Sequence, residues 1–271
     1  MYLILLSLLF AFQTQISSSN NHATIETRTD VGWVGPEQTF YAVVLITPDA
    51  GWHVYWKDSG SSGAPTVVEA SAPNGYIVGT PIFPRPKLFY GKEGVTYGYD
   101  EQAAIFIPIT SPKEIETNEI TLEIKTYWLA CNKVCVMGED SNKLTVSTKQ
   151  TRGPTHRDMH LVKWKQRLPK KLTDLKDAKV NFDNNKIRIS GVTTEDKIQF
   201  IGIGQLGVRF LDSDVRYLEH NRFTLTIPLE LDYSVTETGS FAINGLLLVG
   251  GNDKDPCYVV QIVAKPDTNT Q

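Results

Sequence analysis

The sequence predicts an all-β protein of two β-sandwich domains joined by a short helical linker. Three observations predict it. Short runs of β-branched and aromatic residues recur along the chain, cut by Pro and Gly. The clearest run, residues 119–128 (EITLEIKTYW), sets Ile120, Leu122, Ile124 and Thr126 on one face and Thr121, Glu123, Lys125 and Tyr127 on the other. Between the two strand-rich halves lies a stretch with helical spacing, where Leu161, Trp164, Lys165 and Leu168 follow one another.

Composition bounds the function. The 271 residues are 41% hydrophobic, enough for packed cores, and the length suits two domains. Lys and Arg number 27 against 30 Asp and Glu, so the slight acidity argues against nucleic acid as a partner. Three cysteines are too few for a disulfide-dense scaffold, so their placement carries more than their count.

The elements follow in order. Residues 1–12 (MYLILLSLLFAF) are apolar and too short to span a membrane. They fit the apolar region of a secretory signal peptide over residues 1–19, cleaved around 17–19. The segment lacks a Lys or Arg before the apolar run and has no clean A-x-A site. A buried N-terminal strand or a retained anchor is the alternative. No later segment has 18 uninterrupted apolar residues, so the mature chain is expected to be exported without a membrane span. Residues 23–150 form the first domain, with strands at 22–28, 38–46, 103–109, 119–128 and 143–148. Residues 151–177 form the linker, where Thr155 and Asp158 resemble a capping box and Pro169 stops the helix. Its Lys163, Lys165, Arg167, Lys170 and Lys171 read as a solvated face. Residues 178–265 form the second domain. Asp183-Asn184-Asn185 makes a hairpin turn, and strands follow at 197–203, 222–229, 240–249 and 257–263.

The chemistry concentrates in two places. Cys131 and Cys135 lie in YWLACNKVCVMGE, just past the best-patterned strand. A tight hairpin tip brings such a pair within the roughly 4.4–6.8 Å between Cα atoms that a disulfide needs. So small a ring restricts the unfolded chain little, which leaves two readings open: a reversible dithiol/disulfide pair, or a static cross-link pinning a loop. Lys133 favours a thiolate, and Glu139 and Asp140 oppose it. A third reading takes Cys131, Cys135, Met137 and His53 as soft ligands for Cu(I). Cys257 stands apart, as a buried thiol or a partner for the first pair. The second place is GWHVYWKDSGSSGAPT at 51–66. In a strand, Trp52, Val54 and Trp56 share one face and His53 and Tyr55 the other. These aromatics either pack beneath the Gly-rich loop and wall the cysteine site, or form a stacking platform for sugars. Tyr97 and Tyr99 join the expected wall. No nucleophile elbow, phosphate loop or HExxH motif is present, and no cofactor is expected.

Three stretches together resemble one family: GWHVYWKDSGSSGAPT at 51–66, YGYD at 97–100 and YWLACNKVC at 127–135. They are similar to the N-terminal periplasmic region of disulfide-interchange reductases of the DsbD/ScsB type. The resemblance covers residues 23–150 well and the second half loosely. It implies an immunoglobulin-like first sandwich, a Cys131–Cys135 redox pair, and periplasmic thiol–disulfide oxidoreductase chemistry with other envelope proteins. One departure is Val136-Met137, where family members usually carry Ile-Pro. The membrane and thioredoxin-like domains of the full reductases have no counterpart in these 271 residues, so a separate electron donor is expected.

Overall fold

The computed structural model describes residues 15–17, 21–150, 158–232, 235 and 240–265. The expected signal segment, apart from 15–17, lies outside the described residues, as do Thr155 and the tail after 265.

The first sandwich is built from β1 (Gln15–Ser17), β2 (Ala23–Thr29), β3 (Thr39–Pro48), β4 (His53–Gly60), β5 (Val67–Ser71), β6 (Ile77–Val78), β7 (Lys87–Gly91), β8 (Gly94–Tyr99), β9 (Ala103–Thr110), β10 (Glu119–Cys131) and β11 (Cys135–Ser147). One sheet runs β1-β2-β3-β9-β6. The other runs β11-β10-β4-β8-β7, with β5 also on β10. Between them, Phe40, Trp56, Ile105, Phe106, Leu122 and Ile124 are wholly or almost wholly buried. The alternation expected over 119–128 holds and continues to Ala130. The strand expected at 143–148 starts far earlier, at Cys135, so β10 and β11 form one long hairpin.

Helix α1 (Met159–Lys165) follows, with Leu161 and Trp164 as its buried side. Its N-cap is Asp158, whose carboxylate accepts from the His160 amide. Asp158 is therefore the cap itself rather than the third residue of a box opened by Thr155. It also bonds Arg28 at 2.8 Å, which ties the helix to β2.

The second sandwich comprises β12 (Lys170–Lys171), β13 (Lys179–Asp183), β14 (Lys186–Val192), β15 (Ile198–Gly202), β16 (Val208–Phe210), β17 (Asp214–Leu218), β18 (Arg222–Leu231), β19 (Phe241–Val249) and β20 (Cys257–Ala264). Its sheets run β12-β20-β19-β15 and β13-β14-β18, with β16 and β17 on the far edge of β18. Asn184 and Asn185 turn the β13–β14 hairpin with φ of 50° and 52°, the left-handed region that Asn tolerates.

The two sandwiches meet through β19. Ile243, Leu247 and Val249 fill the second core, while Leu246 and Leu248 enter the first beside Ile201 and Cys257. A strand covered on both faces reads as an unbroken apolar run, here LLLV. The Arg85 guanidinium, itself buried, donates to the carbonyls of Val249, Pro256 and Gly250 at 2.8, 2.9 and 2.7 Å. Arg85→Met would keep the aliphatic stem and strand three carbonyls. Urea unfolding should show a loss of about 3 kcal/mol. A loss below about 0.5 kcal/mol would show that the junction does not depend on these bonds.

Candidate functional site

Strict alternation along β10 places Tyr127, Leu129 and Cys131 on the outward face, opposite the core residues Trp128 and Ala130. Cys131 faces Cys135 directly across the hairpin, and the two are joined as a disulfide. Their Cα atoms lie 4.1 Å apart, near the roughly 4.5 Å of a non-hydrogen-bonded antiparallel pair. Asn132, Lys133 and Val134 make the turn, closed by the Asn132 amide on the Val134 carbonyl at 2.9 Å.

The two sulfurs sit in different surroundings. Cys135 is exposed, while Cys131 is 2% exposed although it stands on the outward face. What covers it comes from β4 and its neighbours. His53 is the register partner of Cys131 on β4, and Val54 and Trp56 turn into the core. His53 and Tyr55 therefore share the outward face with the disulfide. The Tyr55 hydroxyl donates to the Cys131 sulfur at 3.5 Å. Burial, with Glu93 adding to it, holds the Tyr55 phenol above its usual range, so it remains a donor.

A loop roofs Tyr55. Gly63 lies over the ring with φ +87°, and a Cβ there would fall 2.2 Å from a ring carbon. The loop is pinned by the Thr66 hydroxyl on the Tyr55 carbonyl (2.6 Å) and by the Ser61 amide on the Val95 carbonyl (2.9 Å). Phe89 of β7 stacks on His53 with ring centres 4.9 Å apart, and His53 meets the edge of Tyr55 at 5.2 Å.

The expected wall is thus partly corrected. His53 and Tyr55 are at the disulfide, but Tyr97 and Tyr99 are not. Register puts Tyr99 opposite Val54 and Gly98 opposite Tyr55, so both tyrosines turn toward the core face. Tyr99 is buried and donates to the Pro84 carbonyl at 2.8 Å, and Tyr97 packs edge-on to Trp56. Phe89 takes the place expected of them. The sugar platform is also overturned: Trp56 is 0% and Tyr55 5% exposed, and Trp52 stacks on His22 at 3.6 Å. Met137 stands on the same face as Cys135 and is 78% exposed, so it makes no closed ligand set with the cysteines. Among the described residues no group of three His, Cys, Asp or Glu is placed to hold a metal ion. Cys257 is buried at the junction of the sandwiches, and burial pushes its thiol up to about 12 against the pull of Arg85 and Lys170. It is a protonated, inaccessible thiol at neutral pH. Among the described residues no helix is long and apolar enough to cross a membrane.

A sandwich that presents one half-shielded disulfide at a hairpin tip is suited to thiol–disulfide interchange. Residues 22–147 match the family described as thiol:disulfide interchange protein DsbD, N-terminal. The resemblance carried by the three sequence stretches therefore stands, and the match runs from β2 to β11 of the first sandwich. The family match and the cross-strand pair support thiol–disulfide interchange as the general chemistry. No curated protein matches the sequence. In fold, the chain is similar to the N-terminal periplasmic domain of ScsB from Proteus mirabilis, with a TM-score of 0.59 at 14% identity, over 94% of this chain and 98% of that one. Two further structures align more weakly. The yeast GGA1 GAE domain has a TM-score of 0.30 at 12% identity, over 50% of this chain and all of that one. The reduced DsbD N-terminal domain of Neisseria meningitidis has a TM-score of 0.29 at 13% identity, over 46% and 86%.

Burial holds His53 below its usual 6.5, with Asp100 pulling the other way. Below pH 6.5 the unfolded chain therefore binds a proton that the folded chain resists. Stability from this residue is full above 6.5 and is lost as the pH falls. The melting-temperature advantage of wild type over His53→Phe should shrink between pH 7.5 and 5.5. A difference independent of pH would contradict this environment for His53.

Proposed function

We propose that the chain is an exported thiol–disulfide interchange protein of the bacterial periplasm, passing electrons through Cys131 and Cys135 to or from envelope proteins. The observation that carries the reading is the asymmetry of the pair: one sulfur is open to a partner, and the other is enclosed beside a hydroxyl donor.

The step follows from that asymmetry. A partner thiolate attacks the exposed Cys135 sulfur. A bond forms between the partner sulfur and Cys135, the Cys131–Cys135 bond breaks, and Cys131 leaves with the electron pair as a thiolate. The Tyr55 hydroxyl is placed to hydrogen-bond that thiolate, and such a charge-assisted bond is stronger than the neutral one it replaces. The partner's second thiolate then attacks the partner's own sulfur and frees Cys135. Two electrons have passed to this pair, both of its sulfurs take up protons, and the partner is left as a disulfide. The reverse sequence reduces a downstream disulfide. The relative potentials of the partners set the direction. Cys257 is buried at the junction, so it does not supply the reducing equivalents.

Single serine substitutions test the assignment. Cys131→Ser leaves the exposed thiol at position 135 and should accumulate mixed disulfides with envelope proteins, visible on non-reducing gels. Cys135→Ser leaves the enclosed sulfur and should trap at least about tenfold less, given the dependence of exchange on access. Equal trapping by both variants, or none by either, would contradict the mechanism.

A further inference from the structure

Strand β7 carries Phe89, and little in its own sheet holds it. It is the edge strand, and among the described residues it pairs with β8 alone. β8 in turn meets β4 at Val54–Tyr99, Tyr55–Gly98 and Gly60–Thr96, with the register broken between Tyr55 and Gly60. The β7–β8 turn lies between Gly91 and Gly94, which adds backbone freedom at the tip. An edge hairpin attached through an interrupted ladder belongs to the low-stability end of a fold.

The missing hold comes from the other sandwich, at both ends of β7. Just before the strand, Arg85 donates to the carbonyls of Val249, Gly250 and Pro256. The loop that offers them is itself fixed, by the Gly250 amide on the Lys197 carbonyl at 2.8 Å and by Arg167 on Asp253 at 2.7 Å. Near the end of the strand, the Tyr90 hydroxyl accepts from Gln199 of β15 at 3.1 Å. Between these two ties no ladder joins β7 to β15, and a cavity of about 350 Å³ lined by Lys87, Leu88, Lys197 and Asn252 lies there instead. The strand is therefore gripped at its ends rather than packed along its length. Alternation sets Phe89 on the face opposite Leu88 and Tyr90, where it stacks on His53.

We propose that the second sandwich is a positioning element for the exchange. By gripping β7 through Arg85 and Gln199 it holds Phe89 on His53, keeps Cys131 enclosed, and leaves Cys135 as the sulfur a partner reaches. The inference rests on the interchange reading above and deepens it, because the choice of sulfur then depends on a domain that carries neither cysteine of the pair. The route is short. Gln199 bonds Tyr90, next to Phe89; Phe89 stacks on His53, His53 meets Tyr55, and Tyr55 bonds the Cys131 sulfur. Such a route is a claim about coupling, which a double-mutant cycle measures. The covalent step is the exchange written above, with no additional reactant.

The test reads access to Cys131 directly. In Cys135→Ser protein Cys131 is a free thiol under the cover, and its alkylation by iodoacetamide is followed by peptide mass spectrometry. Adding Gln199→Ala, at a position outside both cores, should raise that rate about threefold, the order set by one hydrogen bond. Arg85→Lys keeps the charge but loses the planar fork, and should raise it about tenfold. Gln199→Glu can accept from the Tyr90 hydroxyl and should restore the original rate. In a Phe89→Ala background Gln199→Ala should add nothing, because the side chain it positions is gone. Alkylation of Cys257, which reports opening of the whole junction, should not change with Gln199→Ala. Rates at Cys131 that stay fixed in folded variants would overturn the positioning role. So would an equal rise with and without Phe89, or a parallel rise at Cys257. The exchange is read separately. Oxidised wild type that dithiothreitol cannot reduce would overturn the interchange reading and this proposal with it, whereas normal reduction with unmoved Cys131 rates would overturn the proposal alone.

Discussion

The site depends on the register of one hairpin. Strands β10 and β11 pair over thirteen positions, ending with Cys131 opposite Cys135. Ile120, Leu122, Ile124 and Trp128, with Leu144 and Val146 across from them, bury one face and hold that register. A slip of β11 by one residue would turn Leu144 and Val146 to solvent and separate the sulfurs. The disulfide is thus positioned by the core beneath it. A ring closed by three intervening residues adds little to the stability of the fold, because it restricts the unfolded chain little.

The second constraint is the cover over Cys131. β4 presents alternate residues to opposite faces, so Trp56 anchors the core while His53 and Tyr55 enclose the sulfur. The second sandwich reaches the same strands. The Gly204 amide donates to Asp58 at the far end of β4 at 2.6 Å, and Gln199 donates to Tyr90, next to Phe89, at 3.1 Å. Arg85 and the doubly buried β19 fix the two sandwiches together. The second domain therefore braces the strand that carries Phe89, a physical link between the domain junction and the cover of the disulfide.

Much of this was legible in the sequence. The two-residue period of 119–128, the β-branched runs, the Asn pair of the β13–β14 turn and the opposite faces of 52–56 each rest on local rules, and each is found in the structure. The rest depended on long-range pairing. Polar Gly138-Glu139-Asp140-Ser141-Asn142 hid the first half of β11, because an edge strand with one outward face tolerates such residues when its partner supplies the register. Phe89 lay in turn-rich sequence, although Gly91-Lys92-Glu93-Gly94 was a usable hairpin signal. Tyr97 and Tyr99 were misplaced because their face is set by the pairing of β8 with β4, which no local pattern reveals. The double burial of β19 was signalled by LLLV but needs the neighbouring domain to explain it.

The central claim is that the Cys131–Cys135 pair cycles. Its reduction potential, measured by equilibrating the purified protein against graded ratios of reduced and oxidised dithiothreitol, tests this most directly. An exposed exchange disulfide should lie above about −300 mV, within reach of envelope thiol proteins. A value well below about −300 mV would mark a structural cross-link and contradict the account.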